Sequence, residues 1–83
     1  MKCIEWKTKA LRQLRKIKNM KQQQNIYTQV GKLVDFPQCK NVKKIKSSDM
    51  YRLRVGQWRV FFTEDLKIVT IEEVKPRNER TYK

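Results

Sequence analysis

Histidine is absent from the 83 residues. Its absence removes the commonest general acid–base and metal ligand near neutral pH. Any catalysis must therefore run on Arg, Lys, Tyr or carboxylates. Acidic residues are scarce: Asp and Glu total 8 against 21 Lys and Arg, a formal net charge of +13. That excess implies a polyanionic partner, whether nucleic acid, an anionic membrane surface or an acidic protein. The two cysteines, Cys3 and Cys39, lack metal-ligand spacing and are too few for a disulfide framework. A reducing, cytoplasmic setting is the simpler reading, with no metal and no cofactor. No hydrophobic run is long enough to span a membrane, and residues 1–7 lack the apolar core of a signal peptide. No linker or internal repeat divides the chain. Its length and 39% hydrophobic content fit one small domain, residues 1–83, with one modest core.

Residues 51–62, YRLRVGQWRVFF, alternate with a period of two on both sides of Gly56-Gln57. Such alternation predicts half-buried strands, and glycine first in a two-residue connection fits a type II′ hairpin. In that register Val55 faces Trp58, Leu53 faces Val60 and Tyr51 faces Phe62, all on one buried side. Arg54 then lies opposite Arg59, and Arg52 opposite Phe61, on the other side. Like charges opposite each other on neighbouring strands are destabilising, while arginine is shaped to fork onto phosphate oxygens. The patch reads either as a phosphate site on an open sheet face or as a solvated polar face built from arginine.

Around this hairpin the chain reads as α+β. Cys3, Ile4 and Trp6 suggest a first strand. Residues 7–20 carry Ala10, Leu14 and Ile17 at helical spacing, with a basic flank of Lys9, Arg12 and Lys16. No acidic residue lies between Glu5 and Asp35, so these cations have no ion-pair partner along the helix. Residues 21–25 read as a turn, with Asn25 as cap. Ile26, Val30, Leu33 and Val34 form the stripe of a second helix, which ends at Asp35-Phe36-Pro37. A basic segment with Lys43, Lys44 and Lys46 follows, and Val42 and Ile45 suggest a short strand there. Glu64-Asp65 marks a turn before a last strand over residues 67–74. An even-numbered loop there buries Val69 and Ile71 and sets Glu72 on the arginine face, beside or opposite Arg59. Pro76 stops the pairing, and Arg77, Arg80 and Tyr82 follow.

The order of strand, helical hairpin and antiparallel meander resembles the RelE/ParE superfamily of type II toxins. The likeness covers essentially the whole chain. It is most specific in the hairpin YRLRVGQWRV and in the closing segment from Val74 to Tyr82, where a basic residue and an arginine precede a tyrosine. The resemblance implies an N-terminal strand and a helical hairpin packed on an antiparallel β-sheet. It also implies a RelE-like, metal-independent endoribonuclease. Such an enzyme enters the small-subunit decoding site of the ribosome, cuts messenger RNA with the RNA's own 2′-hydroxyl and is restrained by a cognate antitoxin. By position, Arg52 and Arg54 match two basic residues, often lysine, on the first hairpin strand. Arg59 matches the arginine of the second, Arg77 the arginine after the final strand and Tyr82 the terminal tyrosine.

On that reading Arg54 and Arg59 clamp the phosphorane, Arg77 closes from the strand end and Arg52 holds the neighbouring phosphate. Tyr82 is the candidate for proton transfer. Glu72 is the alternative base, or else an ion-pair partner of Arg59. Phe61 stacks a base, while Arg80, Lys43, Lys44 and Lys46 grip RNA. The ParE-like branch of the superfamily inhibits DNA gyrase instead. A gyrase inhibitor, or a non-catalytic RNA- or ribosome-binding module, is thus the alternative.

Overall fold

The computed structural model describes residues 1–77. Strand β1 (Cys3–Trp6) leads into helix α1 (Thr8–Arg15) and helix α2 (Met20–Gly31), followed by a 3₁₀ turn at Lys32–Asp35. Then come β2 (Val42–Lys44), β3 (Tyr51–Val55), β4 (Trp58–Asp65) and β5 (Ile68–Pro76). The sheet order is β1-β5-β4-β3-β2. The expected helical hairpin on a sheet, with an N-terminal strand, is present. The sheet is antiparallel from β2 to β5, and β1 joins its edge in parallel with β5, pairing Cys3 with Ile68 and Trp6 with Ile71. That makes the sheet mixed, because the helical hairpin carries the chain across one face before it returns.

The helical turn falls earlier than the sequence predicts, at residues 16–19 and not at 21–25. Asn19, not Asn25, is the cap: its side chain accepts from the Gln22 backbone N–H. Glutamine is a good helix former, so the polar run Gln22-Gln23-Gln24 belongs to α2. The Gln23 side-chain amide also donates to the carbonyls of Leu14 and Ile17, satisfying groups left over where α1 ends.

The hairpin register is the expected one, with Tyr51↔Phe62, Arg52↔Phe61, Leu53↔Val60, Arg54↔Arg59 and Val55↔Trp58. Gly56 has φ +57°, as the first loop position of a II′ turn requires. The β4–β5 connection is also two residues long, Leu66-Lys67, between the paired Asp65 and Ile68. It lies two residues later than Glu64-Asp65 but keeps the even parity, so Val69 and Ile71 are buried as expected.

One layer of apolar side chains joins helices to sheet. Leu14, Ile26, Val30 and Leu33 meet Leu53, Val60, Phe62, Val69, Ile71 and Val74. Phe36 closes the end of this layer, edge-on to Tyr51 at 4.9 Å and to Phe62 at 5.4 Å between ring centroids. Two polar contacts fix the helices along the strands: Trp58 Nε1 donates to Gln22 Oε1 at 3.1 Å, and the Val74 N–H donates to Gln13 Oε1 at 2.6 Å. Among the described residues no helix is long and apolar enough to cross a membrane.

If Asn19 starts α2, Asn19→Ala should lower stability by about 0.5–2 kcal/mol. Urea unfolding with an unchanged m-value checks this, while Asn25→Ala should stay close to wild type.

Candidate active site

The helices cover one face of β3, β4 and β5, and the other face is open. Side chains on that open face fall into rows that cross the strands about 4.8 Å apart. The row next to the Gly56-Gln57 turn is Arg54, Arg59 and Lys75, each directly opposite the next. The second row is Lys43, Arg52, Phe61 and Glu73. Arg77 belongs to the same end of the sheet, because its backbone N–H donates to the Gln57 carbonyl at 2.6 Å.

The structure therefore brings Arg52, Arg54, Arg59 and Phe61 onto one face, with Lys43 at its rim and Arg77 beside the turn. Lys44 pairs with Tyr51 and so belongs to the opposite, helix-side face. Lys46 is exposed in the connection between β2 and β3. Arg80 and Tyr82 lie outside the described residues.

Glu72 departs from expectation in its partner. The pairing of β4 with β5 slips by one between Phe61 and Phe62, so Phe61 faces Glu73 and Phe62 faces Ile71. Glu72 is the extra residue of a β-bulge. The slip sets Lys75, and not Glu72, opposite Arg59. Glu72 instead forms an ion pair with Lys7 at 2.9 Å and accepts from the Thr63 hydroxyl at 3.1 Å.

The charges segregate by side-chain type. Among the described residues every ion pair uses a lysine: Lys2–Glu64, Lys7–Glu72, Lys9–Glu73 and Lys75–Glu73. None uses an arginine. Burial, and then the charges of Arg59 and Arg54, push the Arg52 guanidinium below its ordinary value. The Arg59 Nε–H is buried and has no acceptor among the described residues. A multivalent oxyanion on this patch would satisfy the unmet donor and relieve the mutual repulsion together.

Glu73 lies where the arginine face meets the start of α1. One carboxylate oxygen holds Lys9 and Lys75, each at 3.3 Å. Burial pushes this carboxyl up, but the neighbouring ammonium groups of Lys75 and Lys9 outweigh burial and hold it below the usual carboxylate range.

A family model described as the ParE toxin of the type II toxin-antitoxin system, parDE, matches residues 4–81. The chain belongs to this family, within the RelE/ParE superfamily of toxins. Solved structures of RelE toxins share its fold. RelE in the archaeal RelE–RelB complex from Pyrococcus horikoshii is 20% identical over 95% of this chain and 98% of its own, with a TM-score of 0.80. The isolated Escherichia coli RelE toxin is 15% identical over 99% of this chain and 90% of its own, with a TM-score of 0.75. A chain of the intact Escherichia coli RelBE toxin-antitoxin complex is 19% identical over 96% of this chain and 100% of its own, with a TM-score of 0.74. At these identities the likeness establishes the fold. No curated protein matches the chain.

Sequence reasoning on this toxin passed over Lys75 and Glu73. The signal is present in Ile71-Glu72-Glu73-Val74. Two apolar residues three apart cannot both face one side of a regular strand, yet both are buried. A doubled polar residue between them is what a bulge leaves in a sequence.

The Glu73 pairing has a pH signature. A carboxyl whose folded pKa is depressed adds stability above its unfolded pKa and loses it as pH falls through the folded one. Glu73→Gln should therefore destabilise the toxin at about pH 7, and the gap to wild type should close toward about pH 3. Denaturant melts of both proteins across that range check the sign.

Proposed function

We propose that this toxin is a ribosome-dependent endoribonuclease of the RelE-like kind, acting on messenger RNA in the small-subunit decoding site. The observation that carries this reading is the arginine face: Arg52, Arg54 and Arg59 share one patch with no carboxylate on any of them among the described residues. A sheet face built only for solubility gains nothing from like charges aligned across strands. A site for a phosphate that gains negative charge during reaction does gain from them.

In the proposed reaction the 2′-hydroxyl attacks the adjacent phosphorus and the bond to the 5′-oxygen breaks. The products are a 2′,3′-cyclic phosphate and a 5′-hydroxyl. Arg54 and Arg59 hold the non-bridging oxygens of the phosphorane, and Arg77 closes from beside the turn. Arg52 holds the neighbouring phosphate, and Phe61, in the same row, stacks a base. Arginine does not give up its proton at neutral pH, so Tyr82 is assigned the proton transfer. Glu72 is the weaker candidate, because Lys7 and Thr63 already occupy its carboxylate. Lys43, Lys44, Lys46 and Arg80 add nonspecific grip on RNA.

A cytoplasmic antitoxin with an acidic stretch is the proposed restraint. The net charge of +13 and the RelB partners in the Pyrococcus and Escherichia complexes support it. The second reading, a gyrase inhibitor that leaves RNA intact, draws on the ParE description of the matching family model.

Translating ribosomes incubated with the toxin, followed by mapping of new messenger-RNA 5′ ends, decide between the two. New ends in coding sequence support the nuclease. Blocked gyrase supercoiling with intact messenger RNA supports the alternative. Arg54→Gln adds a second axis. Removing one of two like charges that face each other should leave stability unchanged or raise it by about 0.2–1 kcal/mol. The same change should cut ribosome-dependent cleavage by about 10²–10³. A loss of several kcal/mol in a denaturant melt would instead make Arg54 a structural residue.

A further inference from the structure

We infer that Lys75 is a further nucleic-acid contact, the third cation of a row that grips an RNA backbone running across the strands along Arg54, Arg59 and Lys75. The inference rests on the reading of the arginine face as a phosphate site, and it adds both a residue and a direction. Arg54 and Arg59 alone would mark a point. With Lys75 directly opposite Arg59, the cations extend over three neighbouring strands. At about 4.8 Å per strand the row is about 10 Å long, enough for more than one phosphate of a single strand.

The ordinary account of Lys75 is a salt bridge to Glu73. Three observations go beyond it. Glu73 Oε1 is also held by Lys9, reaching from the start of α1 at the same 3.3 Å, so the carboxylate keeps a partner when Lys75 turns to a phosphate. A lysine ammonium is a rotatable three-donor group on a flexible four-carbon stem, so an ion-paired lysine can be drawn to a phosphate oxygen. Lys75 also lies opposite Arg59 only because of the Glu72 bulge, since an unbroken ladder from Phe62↔Ile71 would set the apolar Val74 there. A lysine opposite an arginine opposes folding, and the Lys9–Glu73 pair offsets that repulsion in the free protein. Phe61 and Arg52, in the next row, then lie alongside the backbone track where a base and the adjoining phosphate fall.

Salt dependence reads this directly. For single strands each phosphate contact contributes about 0.7 to the slope of log affinity against log salt. The probe is a short fluorescent single-stranded RNA, titrated with the full chain by anisotropy at several salt concentrations. Lys75→Met should lower the slope by about 0.7, and Lys75→Arg, which keeps the charge, should hold the wild-type slope. Lys67→Met, in the β4–β5 turn at the far end of the strands, should leave the slope unchanged. A wild-type slope in Lys75→Met, or an equal drop in Lys67→Met, would overturn the inference. Arg54→Gln separates the two levels. If it lowers the slope and Lys75→Met does not, only the role of Lys75 falls. If neither does, the phosphate-site reading falls with it. Thermal melts confirm that each variant is folded, and Lys75→Gln serves if Lys75→Met is not.

Discussion

The pairing of β4 with β5 through one extra residue is the constraint on which the rest depends. Before the slip, Phe62, Val69 and Ile71 set the buried parity. After it, Val74 must return to the core although it lies three positions from Ile71. Only a bulge reconciles those demands, and Glu72 is its extra residue. Without the bulge, Val74 would face water and Lys75 would face the helices. The same slip thus completes the apolar layer and sets a lysine opposite Arg59 on the open face. Gln13, from α1, binds the Val74 N–H directly after the irregularity, which ties helix position to strand register.

The division between lysine and arginine follows from this arrangement. Lysines at the sheet margins and at the start of α1 take the carboxylates of Glu64, Glu72 and Glu73. Among the described residues the arginines in the middle meet no carboxylate. A partly buried guanidinium without an acceptor costs free energy, and here it is tolerated because the apolar layer beneath is closed by Phe36, Tyr51 and Phe62. Local rules broken in this way are what functional surfaces commonly show.

Much of this was legible in the sequence because period-two alternation is a strong signal when a glycine marks the turn. The register of Tyr51 to Phe62, the facing arginines and the buried Val69 and Ile71 follow from it. The boundary between the helices was not legible. Asn19 and Asn25 are equally good caps on paper, and the choice was made by Gln23 reaching the carbonyls of Leu14 and Ile17. The partner of Glu72 was also hidden, since parity arguments assume an unbroken ladder. Phe36 read as the end of a helix. Its place against Tyr51 and Phe62 is a tertiary fact that no local pattern carries. The parallel docking of β1 is of the same kind.

That docking has a consequence for synthesis. Cys3 waits for Ile68, and Trp6 for Ile71, so the first strand made is among the last to find its neighbour. Long-range closure of this sort is the slow part of folding. During translation the helices can form locally, but the apolar side of β1 has no strand to pair with until β5 emerges from the exit tunnel. A chain released before β5 carries neither the completed sheet nor Lys75 and Arg77. The segment that seals the fold and the segment that carries the third cation of the row are thus the same stretch of chain.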